Sequence, residues 1–287
     1  MTLRSRGARV ASRGEVFVVL GARVGAPAAL EPHAWIPVVQ GGAVRVDQAM
    51  TASLESAGWT PYCGVGATPL DLMTRWNLDP VLIAGVVAVA AVLWRRSAPR
   101  SAWLALGLFA VIFASPLCAL SSALFTARTA HHVLLVAAVA PLVAWSLPAV
   151  RRPRLAPATL AAAGVFWLWH APDTYAWALS SDAGYWLMQV SLFGTAVWFW
   201  LGVRAARPMA GIGCLLVSTV QMGLLGALLT VAGRAFYAPH AATTQAWGLT
   251  PLQDQQLAGL IMWAPAAAIY LVIALVMLGR LLAPPSA

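Results

Sequence analysis

The residues of this chain able to hold a metal are Cys63, His131, His132, His170, His240 and Met262. Imidazole serves copper, zinc and haem iron alike, whereas thiolate and thioether sulfur favour Cu(I). Adjacent helical residues point about 100° apart, so His131 and His132 cannot both face one partner. His170 lies in FWLWHAPDTYAWAL. If its helix runs antiparallel to that of His132, the two imidazoles arrive at one level. Blander roles stand beside these. Histidines near helix ends anchor at membrane interfaces, and buried methionines such as Met222 and Met262 fill gaps. Cys63 could be an incidental solvated thiol. Cys118 and Cys214 fall inside apolar runs and read as packing residues, leaving Cys63 without an evident disulfide partner. Asp173 suits a cap for the segment holding Tyr175. In PLQDQQLAG, Asp254 can cap the helix it begins, and Asp254, Gln255 and Gln256 together fit a partner-docking surface.

The elements that carry these residues are apolar. Hydrophobic residues make up 61% of the chain and charged residues 9%, against about 25% charged in a soluble domain; the mean hydropathy is +0.77. Seven runs approach the roughly 20 apolar residues of a spanning helix: Asn77–Trp94, Ala102–Phe125, His131–Ala149, Leu155–His170, Tyr185–Val203, Met209–Ala232 and Leu257–Leu281. The predicted fold class is all-α, a polytopic bundle of seven transmembrane helices. Barrel strands would alternate polar and apolar residues, and these runs do not. Pro116, Pro141 and Pro265 are expected to kink their helices, and Gln221 needs a partner on another helix.

Charge sets the expected orientation. Arg95, Arg96 and Arg100, then Arg151, Arg152 and Arg154, then Arg204 and Arg207 occupy alternate loops, and Arg280 ends the last helix. The intervening loops carry only Arg128 and Arg234. The positive-inside rule then puts the N-terminus out and the C-terminus in. It also accounts for the +9 net charge without nucleic acid. Trp76, Trp177, Trp186, Trp247 and Trp263 would form the outer aromatic belt, and Trp94, Trp103, Trp198 and Trp200 the inner one. Residues 1–60 lack this pattern and read as an ill-defined extension, a weak signal peptide or a start placed too early; residues 61–287 form the membrane domain. His131, His132, His170, His240, Cys63, Asp79, Asp173, Asp182 and Asp254 collect at the outer end. No Walker A loop, dinucleotide fingerprint, HExxH or GxSxG signature is present, and no carboxylate lies mid-membrane.

The succession RWNLDP, HHVLLVAAVAPL, WHAPDTYAWAL, QMGLLGALLT, RAFYAPH and WGLTPLQDQQLAGLIMWAP resembles the seven-helix CtaG family of cytochrome c oxidase assembly factors, from about Tyr62 onward. Many relatives resemble His-Met-x-x-His-Met at the start of the third helix; this chain has AHHVLL there. The resemblance implies a multi-pass protein of the bacterial inner membrane, with no enzymatic activity of its own. It would help build a haem–copper oxidase, with oxidase subunits or other assembly factors as partners. Copper is the expected cargo at the outer face, with Cys63, His131 or His132, His170 and His240 as ligands. Two other readings stay open: a membrane haem-binding oxidoreductase, and a permease for copper or a small solute.

Overall fold

The structure is a computed structural model that describes residues 61–148 and 154–283. The expectations for residues 1–60 lie outside these. Among the described residues all regular structure is helical. Among the described residues four helices are long and apolar enough to cross a membrane: Phe125–Ser146 (α4), Asp182–Ala205 (α7), Pro208–Val231 (α8) and Pro251–Leu282 (α9). A fifth span results if Arg100–Ala114 (α2) and Pro116–Ala123 (α3) are taken together. Pro80–Arg95 (α1) and Leu155–His170 (α5) are apolar but have 16 residues each. At 1.5 Å per residue each is about 24 Å long, short of the ~30 Å hydrocarbon core. A short helix, Pro172–Ala178 (α6), follows α5.

The helices begin where sequence chemistry allows. Asp79 caps α1 by accepting from Leu82 N–H at 2.8 Å, with Pro80 at the first position. Ser181 accepts from Gly184 N–H at the start of α7. Thr250 and Gln253 close a capping box at the start of α9, again with a proline first. Asp254 is therefore not the cap of its own helix. Asp173 makes no cap either; it is exposed in the first turn of α6.

All three expected proline kinks have a structural counterpart. Pro116 restarts the chain at a 51° break between α2 and α3. In α4 a π-turn spans Leu135–Val139 just ahead of Pro141, and in α9 one spans Met262–Ala266 around Pro265. A wider turn absorbs the missing proline N–H and the clash of its ring. One helix start also differs from its expected place. The third apolar run begins at Phe125, not His131, so both histidines lie inside the helix instead of opening it.

Trp200 is among the largest fully buried side chains, and its ring lies tilted against that of Tyr270, centroids 5.3 Å apart. Trp200 is thus a core residue and not part of an interfacial belt: its indole N–H donates to the Val136 carbonyl at 2.8 Å. Trp76, Trp94, Trp177 and Trp263 are exposed. Arg204 donates to the Ala144 and Leu147 carbonyls at 2.6 and 2.8 Å, closing the C-terminus of α4. Backbone contact joins α8 to α9. A Cβ on Gly226 would lie 2.7 Å from the Gly259 carbonyl oxygen, and one on Gly259 would lie 2.6 Å from that of Gly226.

Candidate functional site

The N-terminal half of α4, the C-terminal half of α5, the middle of α8 and the first half of α9 come together around one cavity. Here α4 supplies His132, α5 supplies His170, α8 supplies Met222 and the π-turn of α9 supplies Met262. These four side chains line one cavity of about 60 Å³, together with Gln221 and Thr129. The expected meeting of His132 and His170 therefore occurs, and Met262 joins it. Met222 is the addition that sequence reasoning treated first as packing. The Gly226–Gly259 contact lies one turn from Met222 on α8 and just before Met262 on α9, and so sets their spacing.

Neighbours orient both imidazoles. His170 Nδ1 lies 2.6 Å from the Phe166 carbonyl, one turn earlier on α5. An Nδ1–H donated there leaves Nε2 with its lone pair free. His132 Nε2 faces the Gln189 side-chain nitrogen at 3.3 Å, while Gln189 Oε1 has no hydrogen-bond partner. Turning that amide over lets Oε1 accept from His132 Nε2–H and leaves Nδ1 as the lone-pair nitrogen. Gln189 is buried on α7. A glutamine inside an apolar run was the signal that could have found it. Gln221, by contrast, has the partner on another helix that the sequence demanded: Trp167 Nε1–H donates to its Oε1 at 3.0 Å.

The other expected ligands are held elsewhere. His131 is fully buried against Phe113, with ring centroids 4.8 Å apart, and neither ring nitrogen has a hydrogen-bond partner. His240 lies beyond Phe125, whose ring stands 6.4 Å from that of His170 and 5.9 Å from that of His240. His240 Nε2 accepts from the Tyr175 hydroxyl at 2.6 Å. Burial first, and then the nearby Arg128 cation, pull the His240 pKa down to about 3, so the ring is neutral. Burial pushes the Tyr175 phenol up. Tyr237 stacks on Phe125 at 3.7 Å and donates to the His170 carbonyl at 2.9 Å, completing a wall between the cavity and the loop.

Cys63 is no free thiol. It forms a disulfide with Cys118, with Cα atoms 5.3 Å apart, and Cys118 is thereby not a packing residue. The sequence hid this pairing because the break at Pro116 turns Cys118 out of the α2 axis toward the 61–79 segment. Among the described residues no three His, Cys, Asp or Glu side chains converge on a metal-sized point. The expected six-residue ligand set is thus divided into the cavity group, an isolated His131, a tyrosine-bound His240 and a disulfide.

The 254–256 segment is internal rather than a docking surface. Asp254 is 0% exposed, and its carboxylate accepts from the backbone N–H groups of Phe125 and Thr126 at 2.7 and 3.0 Å. It caps α4 from another helix. Gln255 is also buried: its Oε1 accepts from Phe236 N–H at 2.7 Å and its Nε2 donates to the Arg234 carbonyl at 3.2 Å. The half-buried Gln256 donates to the Ala232 carbonyl at 3.4 Å. The helix start faces inward because α4 has no cap of its own and the chain leaving α8 exposes carbonyls that need donors.

Searches of curated proteins and of solved structures returned no match. The sequence does match the model of the cytochrome c oxidase caa3 assembly factor family, Caa3_CtaG, over residues 82–283. That span takes in every helix from the first turn of α1 to the end of α9, and all four cavity side chains. The chain belongs to the caa3-type cytochrome c oxidase assembly factors.

Proposed function

We propose that this assembly factor handles copper as cargo, holding Cu(I) between His132, His170, Met222 and Met262. The observation that carries the reading is that these four side chains, from four separate helices, line one small cavity. Two thioethers and two imidazoles suit Cu(I), a soft ion. The helix that bears AHHVLL lacks the methionines of many relatives, and α8 and α9 supply thioethers at the same level. The cavity, about 60 Å³, has room for an ion and a few waters. It falls well below the ~300 Å³ lower bound of small-molecule pockets, which disfavours haem. In this reading the protein's role is to bind and release copper, as its place among assembly factors suggests.

We further propose seven spans in the bacterial inner membrane, N-terminus out and C-terminus in, with oxidase subunits or other assembly factors as partners at the outer end. Arginine alternation supports the orientation, and a disulfide at the histidine end suits an oxidising compartment. Thinning of the bilayer accommodates spans as short as α1 and α5 at modest cost.

The test is Cu(I) titration of the purified protein against a chromogenic competitor. One Cu(I) per chain is expected. The Met222→Leu/Met262→Leu variant keeps core volume and should bind at least about tenfold more weakly, about 1.4 kcal/mol. Undiminished binding by that variant would remove the assignment.

A further inference from the structure

A second, much larger opening lies between α1, α2, α4 and α7, with a volume of about 740 Å³. Its walls are mostly apolar, with Phe109 and Phe193 among the aliphatic side chains and Ser146 near one end. The charged groups gather at the other end, where Asp79 and Asp182 line it together with Tyr62 and Trp186. Asp79 caps α1 and Asp182 sits in the first turn of α7, so both carboxylates stand at the histidine end of the bundle. Tyr62 and Trp186 meet edge-on at 5.1 Å between them, as aromatic rings do at headgroup level. No arginine or histidine is part of the lining.

The size selects the occupant. From Asp79 to Leu93 the groove follows α1 for fourteen residues, about 21 Å at 1.5 Å each. One leaflet of the hydrocarbon core is about 15 Å deep, half of ~30 Å. A lipid acyl chain fits that length. A deep apolar recess facing a bilayer does not stay empty, and acyl chains are the material at hand.

The charge selects the headgroup. Two carboxylates with no cation among the lining residues repel anionic lipids and attract an ammonium. Asp79 uses Oδ1 for its cap, and both carboxylates face the same end of the groove. We infer that this groove is a specific site for one amine-bearing phospholipid, its chains between α1 and α7 and its ammonium between Asp79 and Asp182. The site is independent of the copper reading, because it shares none of the four metal-holding side chains.

The experiment is native mass spectrometry of the full-length protein, reconstituted into vesicles of equal phosphatidylethanolamine and phosphatidylglycerol and re-extracted in mild detergent. The wild type should keep one phosphatidylethanolamine adduct. Asp79→Asn/Asp182→Asn should lose it, and asparagine preserves the helix cap. Gly85→Trp should lose it too, with the carboxylates intact. A Cβ on Gly85 meets nothing within 4 Å, so the indole can enter the groove without a clash. A retained phosphatidylglycerol or quinone, no retained lipid, or phosphatidylethanolamine retained by both variants would each overturn the assignment.

Discussion

Single side chains at the histidine end do distinct jobs, and each job has its own test. Gln189 only orients His132, so Gln189→Leu should weaken Cu(I) binding about 10–100-fold, the usual cost of losing an outer-shell partner, with little change in thermal stability. Asp254 replaces the missing cap of α4. Asp254→Ala should destabilise the protein by about 2 kcal/mol, the cost of a lost cap with buried donors left unpaired, as read from thermal unfolding in detergent. Asp254→Asn should cost less. His240 is neutral when folded, with its pKa near 3 against about 6.5 unfolded. Between those values the unfolded chain binds the extra proton, so stability rises with pH there. It is fully present above about pH 6.5 and falls toward pH 3 by up to ~1.4 kcal/mol per unit. Unfolding midpoints from pH 4 to 7 should show this slope, and His240→Gln should flatten it.

At the scale of elements, two bends and one helix contact place the site. The π-turns before Pro141 and around Pro265 let α4 and α9 turn without breaking, and the second carries Met262. The Gly226–Gly259 contact then holds α9 against α8. Gly226→Ala must push Trp263 and the Gly259 carbonyl away, an overpacking that costs about 1–3 kcal/mol. It should also separate Met222 from Met262, so reduced Cu(I) affinity and reduced stability should appear together. Sequence reading found the prolines and the apolar runs, because both are local signals. It could not see that the prolines would be accommodated by π-turns, or that two glycines on different helices touch, because neither is written within one segment. The Cys63–Cys118 bond has the same origin. Its loop of 55 residues suggests a contribution in the range of about 2–4 kcal/mol, toward the lower end if α1 and α2 stay in the membrane when the rest unfolds. Cys63→Ser/Cys118→Ser should lower the unfolding temperature accordingly and leave Cu(I) stoichiometry at one.

For the whole molecule, the decisive observation is oxidase activity in membranes lacking this protein. Activity should fall on deletion and return with added copper; loss that copper does not repair would separate assembly from metal supply. Several of these properties belong to the sequence alone. Long apolar runs exclude water as a solvent for most of the chain, so a membrane bundle of helices follows from hydrogen-bond satisfaction. Arginine placement and the run of family-like motifs likewise read directly from the order of residues. The tertiary structure decided which of the marked residues meet. It kept His132, His170 and Met262 together and added Met222, because helices from distant segments converge at one depth. It turned His131 toward Phe113, tied His240 to Tyr175 and Cys63 to Cys118, and drew Asp254 and Gln255 inward to satisfy the backbone groups of neighbouring elements. Spacing along a chain limits what one helix face can present. Ligand sets, caps and disulfides between helices depend on crossing and register, and those are settled only when the bundle packs.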